Sequence, residues 1–204
     1  MQCVLATSNE HKREEIAAIF ARLGITKVVF GSLRDHPEIP APVEDGTTFA
    51  ANARIKALQV SAVTGGWALA DDSGLVVDAL GGRPGIHSAR YGGEGSTDAE
   101  KMALLLSELK QAPDGGRTAR FVCHMVLTHG DAVYAESSGA CEGVIADAPR
   151  GDHGFGYDPI VYLPEQGCTV AELTAEGKNA VSHRAQAAAG LRAAFTWVCA
   201  RGEG

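Results

Sequence analysis

The stretch WALADDSGLVV, residues 67–77, decides the fold. Four apolar residues run straight into Asp71-Asp72, and Ser73-Gly74 follow. A short apolar run bounded by turn residues reads as a strand buried on both faces. We expect a strand from 67 to 71, a break at Gly74, and extended structure resuming over 75–77. Two carboxylates at a strand end put charge where the sheet opens. Such a pair suits Mg²⁺, which takes one or two carboxylates and completes its shell with water and phosphate oxygens. One of them can also accept a proton from an attacking water. A strand-ending Asp turn is the plain alternative.

Working outward, residues 3–6 read as a short buried strand, followed by turn and cap chemistry at Thr7-Ser8-Asn9. A helix with Ile16, Ile19, Phe20 and Leu23 on one face ends at Gly24. Residues 28–30 form a second short strand, and 31–47 are a Pro-, Gly- and acid-rich loop. Thr48 caps a helix to about residue 63, with Phe49, Asn52 and Lys56 on one face. Residues 81–95 are a Gly-rich loop. Thr97 and Glu100 make a capping box before a helix carrying Met102, Leu105, Leu106 and Leu109. Residues 119–128 and 133–137 pair as a hairpin around Gly130-Asp131, and 143–146 extend that sheet. Ser182 caps a last helix with Ala188, Leu191, Phe195 and Val198 inward. This is α/β with a mixed sheet and flanking helices. The mid-chain helix and hairpin suggest a second lobe, and a cleft between lobes is the natural ligand site.

Composition narrows the classes. The chain has 204 residues, 45% apolar and 21% charged, the profile of a folded soluble protein. No run approaches the roughly 18 apolar residues of a membrane span. The opening MQCVLATSNEHK has too short an apolar run for a signal peptide. A net charge of −7 argues against a broad nucleic-acid-binding surface, though not against a local cationic pocket for a small anion. The scattered Cys3, Cys123, Cys141, Cys168 and Cys199 fit reduced, mostly buried thiols in a cytosolic protein, with a redox or catalytic cysteine as the alternative.

Three further clusters carry chemistry. Thr7-Ser8-Asn9-Glu10-His11-Lys12 lies between a strand and a helix, where open N–H groups and the helix dipole favour phosphate. An ordinary cap with a solvated lysine is the alternative. In Gly154-Phe155-Gly156-Tyr157-Asp158-Pro159, glycines let an aromatic face approach a nucleobase, and Asp158 accepts hydrogen bonds from a ring or sugar. A tight turn with a core phenylalanine is the alternative. Lys178 and Ser182-His183-Arg184 gather cations at a helix start, for an anion or an electron-rich carbonyl. A capped helix with surface charges is the alternative. Glu44 is a plausible extra metal ligand, or else a solvated loop acid. His11, His36, His87, His124, His129 and His153 show no metal-ligand spacing. No Walker A, G-x-G-x-x-G opening a helix, G-x-S-x-G or H-E-x-x-H occurs.

Together these blocks resemble the inosine triphosphate pyrophosphatase family, also called the Ham1 family. LATSNEHK is similar to its opening, and TTFAANARIKA to its second helix. LADDSGLVVDALGGRPGIHSARYGG, GFGYDPIV and AELTAEGKNAVSHRAQA are similar to its remaining blocks. The resemblance implies an elongated α/β fold, one domain over 1–204 with two lobes around a deep cleft. It implies Mg²⁺-dependent hydrolysis of ITP, dITP and XTP to the monophosphate and pyrophosphate, which keeps them out of DNA and RNA. It also implies a homodimer; the scattered thiols point to the cytoplasm, and charge and composition to neither nucleic acid nor membrane as partner. Thr7, Ser8, Asn9, Glu10, His11 and Lys12 would hold the triphosphate, and Lys56 would reach the phosphates. Asp72 would be proton acceptor and metal ligand, with Glu44 and Asp71 assisting the metal. Ser73 would touch substrate. Phe155, Gly156, Tyr157 and Asp158 would hold base and sugar. Lys178, His183 and Arg184 would contact the base. Many members have Glu-Asn-Ala where this chain has Ala51-Asn52-Ala53. If that Glu serves metal or water, Mg²⁺ affinity or turnover falls here, but the remaining carboxylates argue against an inactive protein. The competing readings are a Maf-like pyrophosphatase acting on pyrimidine or modified nucleotides, a non-catalytic nucleotide sensor, and a plain structural α/β domain, which requires four polar clusters to coincide by chance.

Overall fold

Side-chain caps start the helices. Asn9 accepts from the Lys12 N–H at the head of α1 (Glu10–Arg22), and Thr48 from the Ala51 N–H at the head of α2 (Phe49–Thr64). Thr97 and Glu100 cap each other at the head of α3 (Asp98–Lys110). Each cap satisfies a backbone donor that a first helical turn leaves open. Two more helices follow, α4 (Ala175–Val181) and α5 (His183–Arg201). The computed structural model of the chain describes residues 1–112 and 116–201.

The strands are β1 (Gln2–Leu5), β2 (Val29–Ser32), β3 (Trp67–Val77), β4 (Thr118–His129), β5 (Ala132–Ile145), β6 (Val161–Leu163) and β7 (Cys168–Thr169). They form a seven-stranded sheet in the order β2-β1-β3-β4-β5-β6-β7. β1 runs parallel to β2 and β3, whereas β6 is antiparallel to β5 and β7. The sheet is mixed and flanked by helices, as the sequence indicates. Among the described residues, no helix is long and apolar enough to cross a membrane.

The chain divides into two compact units. The first holds Met1–Asp72, Cys123–Gly139 and the chain from His183 onward. Side chains alternate across its strands, and that period of two sorts the core into two layers. Trp67 and Leu69 join Cys123, Met125 and Leu127 in packing against α1 and α5, through Ile16, Ile19, Phe20, Leu191, Phe195 and Val198. Phe20 anchors this layer, its ring centroid 4.6 Å from Phe195 and 5.3 Å from Phe30. Ala68 and Ala70, one residue out of phase, face Ala53, Ala57 and Val60 of α2.

The second unit holds Ser73–Val122 and Ala140–Ser182. Its core joins Leu75 and Val77 of β3 to Leu105 and Leu109 of α3, Phe121 of β4, Ile145 of β5, and Ile160 and Val161.

Three sequence expectations need correction. Gly74 does not break β3, which runs unbroken through Asp71 and Asp72, so the acidic pair sits inside a strand rather than at its end. A Cβ at Gly74 would lie 2.4 Å from both the Gly85 carbonyl oxygen and Ser88 Oγ. Glycine is there for close approach, not for a turn. Likewise 133–137 and 143–145 belong to one strand, β5, which ends one residue short of the expected 146. Gly139 interrupts its pattern for the same reason: a Cβ there would lie 2.3 Å from the His183 carbonyl oxygen and 2.6 Å from the Ala187 nitrogen. Finally, the hairpin does not travel with α3. Its tip belongs to the first unit and its base to the second. The short α4, capped by Thr174, had no signal among the sequence expectations.

Phe195→Ala opens a cavity under two aromatic partners. We expect it to cost about 3–5 kcal/mol, read as a lower urea midpoint with unchanged m-value.

Candidate functional site

The parallel pairing of β1 and β3 ends with Leu5 opposite Leu69. Ala6 N–H still reaches the Leu69 carbonyl at 2.9 Å, and beyond it the chain turns off at Thr7 while β3 continues into Asp71-Asp72. The carboxyl ends of parallel strands are where α/β proteins place ligands. The Thr7-Ser8-Asn9 turn is held by its own side chains and by the segment after β2. Thr7 Oγ1 accepts from the Asn9 N–H at 3.1 Å, the Thr7 carbonyl from the Leu33 N–H at 3.0 Å, and the Ser8 carbonyl from Arg34 Nε at 2.8 Å. Ser8, Asn9 and His11 are exposed, and Glu10 is paired with Arg13.

Strand alternation sends the two aspartates to opposite faces. Asp71, in phase with Leu69, meets α1 and α5. Lys12 Nζ donates to its Oδ1 at 3.2 Å and its Oδ2 at 3.0 Å, and Arg184 Nε donates to Oδ2 at 3.3 Å. Burial alone would raise the Asp71 pKa, but Lys12, Arg184 and Lys56 outweigh it and hold the carboxyl well below the usual carboxylate range. Arg184 also has its NH1 3.6 Å from Glu15 Oε1.

Asp72, in phase with Ala70, meets α2. Lys56 Nζ donates to Asp72 Oδ1 at 2.7 Å and to the Asp71 carbonyl at 2.8 Å, and lies 3.1 Å from Glu44 Oε1. Burial would lower the Lys56 pKa, but Asp71, Asp72 and Glu44 raise it overall. Asp72 itself is pushed up by burial, and Lys56 pulls it back without cancelling the rise. Its second oxygen, Oδ2, is buried and has no hydrogen-bond partner among the described residues. Such an orphan is costly, and in a native site it calls for a ligand.

Glu44 reaches this cluster because its loop lies on the first turn of α2. The Gly46 N–H donates to the buried Asn52 Oδ1 at 2.8 Å. A Cβ at Gly46 would lie 2.6 Å from that oxygen and 2.8 Å from the Ala51 methyl. His183 and Arg184, at the start of α5, are both 4% exposed, set down by the close contact with Gly139.

The second unit carries its own cluster. Asp158 Oδ2 accepts from Lys178 Nζ at 2.8 Å and from the Phe155 N–H at 2.9 Å. The ammonium also stands 4.6 Å from the Phe155 ring centroid. A Cβ at Gly154 would lie 2.1 Å from Asp158 Oδ2, so the loop folds tightly over that carboxylate. The Gly156 N–H donates to Asp98 Oδ2 at 2.7 Å, and the Tyr157 hydroxyl to the Ser88 carbonyl at 3.0 Å. Phe155 and Ser73 are half-buried.

The structure brings candidates from the sequence together in two clusters. The first unit gathers Lys12, Glu44, Lys56, Asp71, Asp72 and Arg184, and the second gathers Phe155, Asp158 and Lys178. Sequence reasoning missed Asn52 as the clamp on the Glu44 loop, Glu15 as a partner of Arg184, and Gly139 as the seat of α5. Glu15 had a weak signal, three residues after Lys12 on one helix face. A lone glycine inside a strand pattern was the signal for Gly139.

The donors in the Asp72 cluster are carboxylate oxygens, which suit a hard cation. Among the described residues, no three His, Cys, Asp or Glu side chains group to hold a metal ion. Asp72 Oδ2 with Glu44 fits a cation that keeps waters and shares phosphate oxygens, as Mg²⁺ does. Asp71 fits less well, since both of its oxygens carry cations.

The chain belongs to the Ham1 family, whose model matches residues 3–194. It is 51% identical over 186 residues to a dITP/XTP pyrophosphatase of Geobacillus kaustophilus, covering 91% of this chain and 90% of that one. It is 50% identical to a dITP/XTP pyrophosphatase of Geobacter sulfurreducens, covering 95% and 96%. The solved structure of a HAM1 protein from Coxiella burnetii superposes with a TM-score of 0.87 at 40% identity, over 97% of this chain and 99% of that one.

Gly139→Ala forces a methyl onto the first turn of α5, which cannot yield as a flexible side chain would. We expect a loss of about 1–3 kcal/mol in stability, with a matching fall in Tm by calorimetry.

Proposed function

We propose that the protein hydrolyses ITP, dITP and XTP between the α- and β-phosphates, releasing the nucleoside monophosphate and pyrophosphate and so keeping these nucleotides out of DNA and RNA. The observation that carries this reading is the buried, unpartnered Asp72 Oδ2 beside the Lys56 ammonium. The dITP/XTP names of the relatives support the substrate class.

A water attacks the α-phosphorus. Its oxygen forms the new P–O bond while the bond from the α-phosphorus to the bridging oxygen breaks, and pyrophosphate leaves with that oxygen and the bonding pair. Asp72 takes the proton through Oδ2, which is buried and without a hydrogen-bond partner among the described residues. Lys56 holds the other oxygen of Asp72 and so fixes its orientation. Lys12 and the first N–H groups of α1 receive the phosphates. Mg²⁺, held by Asp72 and Glu44, would offset charge on the phosphate oxygens. Ala51 supplies no further carboxylate on α2.

Base choice has a chemical basis. Hypoxanthine and xanthine present an acceptor oxygen at position 6, and adenine presents an amino donor. Arg184 has only donors, so adenine leaves buried polar groups unpaired. Phe155 has one ring face against Lys178. Stacking of a base on an aromatic ring of this kind would contribute roughly 1–3 kcal/mol. A homodimer, after the family resemblance, and a cytosolic setting, in keeping with the five free thiols, complete the reading.

A pyrophosphate-release assay over ITP, dITP, XTP, ATP, UTP and dTTP tests this function. Release from the first three with Mg²⁺, lost with EDTA, is expected. Preference for UTP or dTTP would shift the reading to the Maf-like class, and binding without release to a sensor. Asp72→Asn should abolish turnover while circular dichroism stays native, and wild-type turnover would remove Asp72 from the chemistry. Arg184→Ala should narrow the ratio of kcat/KM for ITP over ATP, and an unchanged ratio would exclude it from base choice.

A further inference from the structure

Asp71 stands apart from the metal role that the resemblance gives it. It lies on the β3 face opposite Asp72, with its side chain 1% exposed. Its carboxylate bonds Lys12 of α1 through both oxygens and Arg184 of α5 through one. Arg184 continues to Glu15, 3.6 Å away on α1. Two cations and two carboxylates therefore form one chain, Lys12–Asp71–Arg184–Glu15, buried at Asp71 and Arg184 and partly exposed at Lys12. One end of it meets the phosphates and the other the base, if the functional reading above holds.

We propose that Asp71 is a positioning residue that couples Lys12 to Arg184, with Glu15 as the counter-anchor of Arg184, so that discrimination between purines depends on the phosphate-binding lysine. A carboxylate shared between two cations divides its attraction between them. When one cation is removed, Asp71 and the remaining cation draw together, because a buried charge needs its partner. Loss of Lys12 thus pulls Arg184 toward Asp71 and away from the base. Loss of the Glu15 charge has the same effect from the other side. Neither Lys12 nor Glu15 need touch the base to change which base is preferred.

The test compares kcat/KM for ITP and ATP in wild type, Lys12→Ala, Glu15→Gln, Arg184→Ala and the Lys12→Ala/Arg184→Ala double variant. If Lys12 only grips phosphate, its loss lowers both substrates equally and the ratio stays fixed. We expect the ITP-over-ATP ratio to fall about threefold or more in both Lys12→Ala and Glu15→Gln, a coupling typical of groups in one network. In the double variant the ratio should match that of Arg184→Ala alone. An unchanged ratio in Lys12→Ala, or a double variant whose ratio is the product of the two single effects, overturns the coupling while leaving the enzymatic reading intact. A wild type that releases pyrophosphate from ITP and ATP alike overturns the functional reading itself, and the coupling with it. Asp71→Asn strands the buried Arg184 along with Lys12 and is prone to unfold. Glu15→Gln keeps shape and volume, so it carries the test without that ambiguity.

Discussion

Burying two adjacent carboxylates inside a strand is the constraint from which the first unit is built. An uncompensated buried charge costs several kcal/mol, so each aspartate must be met by a cation. Alternation along β3 makes a single cation insufficient, because Asp71 and Asp72 point to opposite layers. The Asp71 layer is served by α1 and α5 with Lys12 and Arg184, and the Asp72 layer by α2 with Lys56. The three helices are thus tied to β3 by charge as well as by apolar packing. The two carboxylates also acquire opposite characters: Asp71 is held firmly ionised, and Asp72 is pushed toward protonation. Neighbouring groups with pKa values driven apart are a familiar basis for dividing positioning from proton transfer.

Much of this was legible in the sequence. The caps at Asn9, Thr48 and Thr97 were read from residue type and spacing alone, because a cap is a local bond within four residues. The apolar stripes of α1, α3 and α5 followed from the helical period. The cationic and acidic clusters were visible as blocks. What stayed hidden was non-local. Nothing in ADDSG says that Gly74 faces the Gly85 carbonyl rather than a turn, since a partner eleven residues away decides it. Gly139 likewise owes its identity to a helix more than forty residues later. The facing of Asp71 and Asp72 was within reach, because alternation is a property of any strand. Reading the pair as a strand end, rather than a strand interior, concealed it.

The second unit solves a related problem differently. Asp158 and Lys178 are both buried, and their pairing is completed by the Phe155 N–H and the Phe155 ring. The glycine at 154 lets the backbone close over the carboxylate without a side chain between them. A charge pair enclosed in this way needs little help from solvent, and the ring that covers it is fixed by the same contacts.

The two units are interleaved along the chain, three stretches in one and two in the other, with β3, β4 and β5 each divided between them. Neither can therefore be excised, duplicated or exchanged as a single contiguous gene fragment. Recombination, which reshuffles modules laid end to end, has no clean boundary here at which to separate the portion with Asp72 from the portion with Phe155. Divergence of such a protein must proceed by point replacement and loop remodelling, both halves changing together within one reading frame.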